Sequence, residues 1–273
     1  MKSALRILQI IGATALIGST AASVSAQSLP ALGQSETDWR YTLGLYAFLP
    51  ISTTGTSTVG GRTVPVDLDL GDVVDLLDFA AAGRVEAWKG DYGLIFDANY
   101  VSITGDGPFP IPPGSTFEVN VRQKWLGLLA AYRVADGTYG ANNQRYTFDI
   151  QGGVRYNSLR QTVAVATPGP GTLPTVGGDE KWWEPVIGAR GMWRLNDKWT
   201  TIASIDLGGF GAGGNDLQIG ANIGFDYQPW DNTAITFGYR YFSMDYSTTL
   251  ASGVMAYDTT QHGPYIGVKF LFN

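Results

Sequence analysis

The chain is predicted to be all-β, a closed antiparallel up-and-down barrel of about ten strands that crosses a membrane, with eight or twelve strands also admissible. Three observations carry that reading: repeated period-two alternation, tight turns that alternate with longer connections, and aromatics at both ends of the apolar stripes. The plainest alternation runs from Leu217 to Tyr227, where odd positions are apolar or aromatic and even ones polar or glycine. It resumes from Ile235 to Tyr241 beyond Pro229-Trp230-Asp231-Asn232, which reads as a β-hairpin. Alternation alone does not say which face meets lipid, because a soluble sheet turns its apolar face inward and a membrane barrel turns it outward.

The N-terminus carries Lys2 and Arg6, an apolar run from Ile7 to about Gly18, and Val24-Ser25-Ala26 before Gln27. That is the pattern of a secretory signal peptide over 1–26. Without Lys2 and Arg6 the formal charge moves from -6 to -8, an acidic balance that argues against nucleic acid as a partner. No later stretch approaches the roughly 18 apolar residues of a helical span. Zero cysteines exclude a disulfide framework, and a charged content of 15% with 36 glycines suits an exported β-rich chain. The expected organisation is a signal peptide (1–26), a loose mature N-terminus (27–38) and one barrel domain (39–273).

Trp39 to Leu49 is the first expected strand, followed by a Thr/Ser/Gly-rich hairpin or loop over 51–66 around Gly60-Gly61. From Asp72 to Phe79 the apolar residues group as in a short amphipathic helix, with Asp72 as N-cap. Val73, Leu76, Leu77 and Phe79 would form its buried side if it folds inward as a plug. Strands are then expected over 80–89 and 92–103, turned by Lys89-Gly90-Asp91, and over 117–134 and 145–162, turned within 136–143. A Pro/Gly loop over 167–178 precedes strands over 181–194 and 198–207, and 208–215 reads as a glycine-rich loop. After the hairpin, a loop over 248–256 leads to a last strand over 257–272.

Three features turn the apolar face to lipid. Short turns (89–91, 136–143, 195–197, 228–232) alternate with longer connections, as short periplasmic turns and longer external loops do in outer-membrane barrels. Trp183 and Trp193 are ten steps of about 3.3 Å apart, roughly 23–25 Å after a strand tilt of about 45°, close to the height of a membrane barrel's apolar band. The opposite face carries Arg84, Glu86, Asp97, Asp149, Arg155, Glu184, Arg190, Asp206, Asp226, Arg240 and Lys269 among glycines, which suits a lumen. The balance of acids and bases suggests mutual pairing in a filled interior. The other reading of the same residues is a narrow, weakly cation-preferring pore. A soluble lipocalin-like barrel is the alternative fold.

Ile266, Val268, Phe270 and Phe272 alternate up to the end, resembling the C-terminal aromatic signal read by barrel-assembly machinery, with the aromatic penultimate before Asn273. Together with Gly83-Arg84-Val85-Glu86-Ala87-Trp88-Lys89-Gly90, Trp183-Glu184-Pro185-Val186-Ile187-Gly188-Ala189-Arg190-Gly191, Gly208-Gly209-Phe210-Gly211, Gly238-Tyr239-Arg240-Tyr241 and Gly263-Pro264, the chain resembles the uncharacterised proteobacterial outer-membrane β-barrels grouped with OmpA-like and OmpW-like barrels. The resemblance implies a barrel in the bacterial outer membrane; the accompanying expectation is a monomer in contact with lipid and lipopolysaccharide, inserted by the assembly machinery through its C-terminal strand. It implies no activity.

Chemistry is sparse. Asp67, Asp69, Asp72, Asp75 and Asp78 could offer hard oxygen ligands, but their spacing is not that of an EF-hand and the solvated face of a short helix explains them, so no metal and no cofactor is expected. His262 is the sole histidine, and neither Ser247 nor Ser252 forms a readable nucleophile-base-acid arrangement with it, so no enzyme is expected. Gly208 to Gly214 lacks the Lys-Ser/Thr of a phosphate loop. The functional readings are a small passive channel or a structural membrane component, then a surface-exposed binding or adhesion barrel, then a membrane-embedded hydrolase.

Overall fold

A computed structural model describes residues 38–109, 113–168 and 173–272; the predicted signal peptide and nearly all of the 27–38 segment lie outside these. Twelve strands follow one another: β1 (Arg40–Phe48), β2 (Ser52–Val59), β3 (Arg62–Asp69), β4 (Leu77–Lys89), β5 (Tyr92–Phe109), β6 (Ser115–Tyr139), β7 (Gln144–Ala166), β8 (Val176–Arg194), β9 (Trp199–Ala212), β10 (Asn215–Trp230), β11 (Thr233–Leu250) and β12 (Gly253–Phe272). A single helix, α1 (Leu70–Leu76), joins β3 to β4.

Neighbouring strands are antiparallel and the ring closes where β1 meets β12, Tyr41 opposite Phe272 through Phe48 opposite Tyr265. Ten strands, β1 and β4 to β12, thus form the closed wall, and closure is what lets a sheet sit in lipid without an unpaired edge. The β2–β3 hairpin is built on the outer half of β12, with Ala256 to His262 opposite Thr58 to Ser52. Pro50 marks the passage from β1 to β2, and Leu49 and Ile51 on either side still donate to Pro264 and His262. One long strand therefore serves two partners in succession.

The exterior is apolar across the membrane: Leu94, Leu128, Ile150, Val154, Ile187 and Ile223 are all exposed. Aromatic residues bound this band. Tyr92 and Tyr132 lie at one end with ring centroids 5.2 Å apart, and Tyr156 and Trp183 at the other, also at 5.2 Å. Leu217, Ile219, Ile223 and Phe225 face outward on β10, and Gln218, Asn222 and Asp226 inward, as the alternation indicates.

The strands run well beyond the aromatic boundary. Segments expected as external loops are instead strand: β9 and β10 are joined by Gly213-Gly214 and β11 and β12 by Ala251-Ser252. Ser, Thr, Gly and Pro composition reads as loop, yet it carries ladder hydrogen bonds here. The outer extension is also pinched, for Gly177 in β8 takes φ 101° and a Cβ there would fall 3.0 Å from Cγ1 of Val59 in β2, on the opposite wall.

Gly224 and Gly238 face each other across β10 and β11 with Tyr265 over them, and a Cβ on Gly238 would fall 2.2 Å from the Ile223 carbonyl oxygen. Gly238→Val should therefore lower the unfolding free energy by about 1–3 kcal/mol, whereas Gly152→Ala, at ordinary contact distance, should change it little. Urea titration of the barrel in detergent, followed by tryptophan fluorescence, measures both.

Candidate functional site

All eleven charged residues singled out from the sequence project inside the barrel, and ten of them join ion pairs. Arg84 holds Glu86 at 2.7 Å and Asp97 at 3.0 Å. Arg190 on β8 reaches Glu86 on β4 at 2.7 Å while donating to Asp149 at 3.0 Å. Arg155 bridges Glu184 and Asp206 at 3.5 and 2.6 Å, and Lys269 holds Asp226 at 2.7 Å. The Arg190–Glu86 and Arg84–Gln151 contacts run across the lumen between strands that are not neighbours. Sequence patterning missed Arg133, which pairs with Asp149 at 3.0 Å and stacks on Trp88. Its place between outward Tyr132 and Val134 was the available signal.

Glu86 accepts from two guanidiniums and from Nε1 of Trp88. Its counterpart on β8, the fully buried Glu184, accepts from Nε1 of Trp182 two residues earlier and from Asn215. These bonds satisfy carboxylates that would otherwise be costly in a dry interior.

Two apolar clusters also point into the lumen. Trp88, Ile95, Leu129, Ala131 and Val186 pack toward the periplasmic end. In the outer half Leu159 and Trp182 meet Met244, Tyr246, Met255 and Tyr257 from the opposite wall, with Trp182 and Tyr246 stacked at 4.2 Å. The interior is thus crossed by side chains at both levels.

Beside the outer cluster lies a cavity of about 370 Å³, lined by Phe48, Val66, Leu76, Ile103, Val121 and Phe242 among others. Arg240 lies at its inner end, with the guanidinium 5.4 Å from the Phe48 ring centroid and 5.7 Å from that of Phe242. Arg84, Arg133, Arg155, Arg190 and Lys269 each have a carboxylate; among the described residues Arg240 has none, and its Nε is buried without a hydrogen-bond partner.

On one side the cavity is bounded by an interruption in the sheet. β4 stops pairing with β5 at Ile103, β3 has β2 as its only partner among the described residues, and α1 spans the interval between β3 and β5. Asp69 is the N-cap of α1 and exchanges a capping box with Asp72, so Asp72 is the third helical residue and not the cap. No residue of α1 is buried, and the helix forms part of the wall, not a plug across the mouth. Val73, Leu76 and Leu77 border the cavity, whereas Phe79 is 55% exposed on the outside against Tyr100. The β-bulge at Leu77/Phe79 explains this reversal, because an extra residue exchanges the two faces.

Among the described residues no cluster of potential metal ligands is present. His262 faces outward and shares a 2.6 Å hydrogen bond with the Tyr239 hydroxyl. Ser252, at the outer turn, is ten residues away along β12, about 33 Å in an extended strand, so the two are not brought together.

A closed ring with an apolar exterior, aromatic boundaries and a polar, side-chain-filled interior is a transmembrane β-barrel of the outer membrane. No family model and no curated protein matches the chain. Among solved structures it is similar in fold to the outer-membrane protease OmpT of Escherichia coli (12% identity, 91% of this chain and 100% of that one, TM-score 0.47). It is also similar to the translocator domain of the autotransporter NalP of Neisseria meningitidis (13%, 85% and 88%, 0.40) and to the attachment invasion locus protein Ail of Yersinia pestis (6%, 86% and 99%, 0.34).

Removing Glu86 takes one of two carboxylate contacts from both Arg84 and Arg190, which keep Asp97 and Asp149, so Glu86→Ala should cost about 1–3 kcal/mol by urea titration. Glu86→Met with Arg190→Met should recover much of that loss, since it removes charge from both sides. Outside the membrane, Asp245 faces Asp258 across β11 and β12. Desolvation first, then the carboxylates of Asp258 and Asp216, holds the Asp245 carboxyl above its usual range. The folded state therefore keeps that proton more tightly, and the penalty appears as pH rises through the carboxylate range. Asp258→Asn should stabilise by about 0.2–1 kcal/mol at pH 7, with the gain vanishing near about pH 3.

Proposed function

We propose that this protein is a closed binding barrel of the outer membrane, which takes an amphiphile with an acidic headgroup in the cavity of its outer half. The observation that carries the reading is Arg240, a lumen cation without a carboxylate partner at the inner end of an apolar chamber. A buried guanidinium is costly unless an anion meets it, and the neighbouring aromatic rings satisfy it only in part. The chamber above is lined mainly by apolar side chains, Val and Leu foremost with Ala, Pro and aromatic residues, which suits a hydrocarbon tail. The interval between β3 and β5, with its short helix and exposed apolar residues, offers the tail a route from the side.

The lumen crossings support this reading over a passive channel. Arg190–Glu86 and the Trp182–Tyr246 stack stand in the path of any axial flow. A structural role alone leaves Arg240 without a counter-charge, since its neighbour Tyr46 offers a hydroxyl and not a carboxylate.

The purified barrel should give no conductance steps in planar bilayers. A brominated long-chain fatty acid should quench Trp125, which borders the cavity, and this component should disappear in Trp125→Phe. The corresponding alcohol should bind about tenfold or more weakly, as loss of a charged hydrogen bond predicts. Arg240→Met should erase that preference. Equal binding of acid and alcohol by the unaltered protein would refute the proposed headgroup contact.

A further inference from the structure

The outside of the barrel is less uniform than its net charge suggests. Of the cations on the outer half, Arg62 sits at the β2–β3 turn, and the other four lie together on β6, β7 and β8: Arg122, Lys124, Arg160 and Lys181. All four alternate with inward residues, namely Val121, Gln123 and Trp125 on β6, Leu159 and Gln161 on β7 and Trp182 on β8, so their own side chains point out of the barrel. In register, Arg122 stands opposite Arg160, and Lys124 and Lys181 both stand opposite Ser158. With strands about 4.8 Å apart and about 7 Å between alternate residues, the four fall within a patch roughly 10 Å across.

Such an arrangement is unfavourable by itself. Like charges directly opposite in neighbouring strands repel, and Arg122 faces Arg160. None of the four makes an ion pair among the described residues, and Nε of both arginines is buried without a hydrogen-bond partner. Asp179, opposite Arg160, instead accepts from the Ser158 hydroxyl, and Glu118 lies farther out on β6. The patch keeps a net positive charge in a chain that is acidic overall.

Its height supplies the second half of the argument. Immediately toward the membrane from Lys124, Ser158 and Lys181 come Leu126, Tyr156 and Trp183, paired with one another in the same register. Trp183 is 64% exposed, and with Tyr156 and Leu126 it forms an apolar ledge at the outer limit of the lipid-facing band. Cations above and an apolar, aromatic ledge below match a molecule with an anionic head and hydrocarbon chains, oriented as a membrane lipid is. Acids dominate other parts of the outer surface, with Asp67 and Asp69 on β3, Asp72 and Asp75 on α1, and Asp216, Asp245 and Asp258 on β10 to β12.

We propose that Arg122, Lys124, Arg160 and Lys181 form a binding site for the phosphorylated headgroup of an outer-leaflet glycolipid, whose acyl chains lie over Leu126, Tyr156 and Trp183. The site is separate from the inner cavity and stands or falls independently of what that cavity holds. Phosphate oxygens between Arg122 and Arg160 would relieve the cross-strand repulsion and meet the unpartnered guanidinium nitrogens.

Native mass spectrometry of the detergent-solubilised barrel tests the site with bisphosphorylated lipid A, the same lipid stripped of phosphate, phosphatidylcholine and inorganic phosphate. Bisphosphorylated lipid A should bind at least tenfold more tightly than its dephosphorylated form, and less tightly as salt is raised. Combined Arg122→Ala, Lys124→Ala, Arg160→Ala and Lys181→Ala should abolish the preference, whereas Lys89→Ala with Lys198→Ala, at the periplasmic turns, should keep it. Retention of folding is checked by heat-modifiable gel mobility. If the fourfold variant does not fold, Lys181→Glu alone should weaken lipid A binding about fivefold. Unchanged affinity in whichever variant folds would overturn the proposal, as would equal binding of the dephosphorylated lipid. Displacement by inorganic phosphate at equal concentration would also overturn it by showing a simple anion site.

Discussion

A ring of ten strands encloses little more space than its own inward side chains need, and every inward residue must therefore pack or pair. The polar level of the lumen meets this constraint by pairing: Glu86 lies between Arg84 and Arg190, Asp149 between Arg133 and Arg190, and Arg155 between Glu184 and Asp206. Because Arg190–Glu86 and Arg155–Asp206 cross between non-adjacent strands, they tie separate parts of the wall together and fix the section of the barrel at that height. The apolar levels meet the same constraint by packing, and the glycines at Gly224 and Gly238 make room for the Tyr265 ring. The side chains that hold the walls together are thus also the ones that cross the lumen.

That constraint gives Arg240 its significance. In an interior where the other cations have carboxylates, it has aromatic rings and an apolar chamber. The chamber exists because the wall changes composition at this height: β1 gives way to β2 and β3, β4 ends, and a two-turn helix replaces a strand. A helix satisfies its own backbone groups and needs no neighbour in the ladder, so it can occupy the interval without joining the sheet.

The strands at membrane level were legible because lipid on one side and charge on the other force a strict period of two. Leu217 to Tyr227 shows this, and so do the inward acids and bases on β4, β7 and β8. Facing was harder to read where both faces are apolar, although the strands over 117–134 and 181–194 were expected and are formed. Trp182 with Trp183, Tyr241 with Phe242 and Leu128 with Leu129 place one apolar residue inside and its neighbour outside, so alternation disappears although the strand continues. The outer extension was legible only in part: the hairpin expected at 51–66 forms as β2 and β3, whereas glycines at 208–215 carry no hydrophobic signal although the backbone still pairs. The helix was placed correctly to within a few residues, but not its orientation. Its facing depends on the bulge at Leu77/Phe79, and a bulge leaves no mark in periodicity until the register of the partner strand is known.

Charge on the two surfaces of the wall obeys different rules. Inside, low dielectric drives charges to meet their opposites within the chain, Arg240 excepted, and acids and bases interleave strand by strand. Outside, water and lipid headgroups supply counter-ions, so like charges can collect, and they do so in separate sectors. Acids gather on β3 with α1 and on the outer ends of β10 to β12, and bases on β6 to β8. The basic sector coincides with the aromatic boundary, where anionic headgroups are nearest, whereas Asp216, Asp245 and Asp258 lie farther out in the extension. Arg122 opposite Arg160 would be a defect inside the lumen. At the lipid interface the same pair can be relieved by an anionic headgroup, because there a partner can come from the membrane and not from the protein.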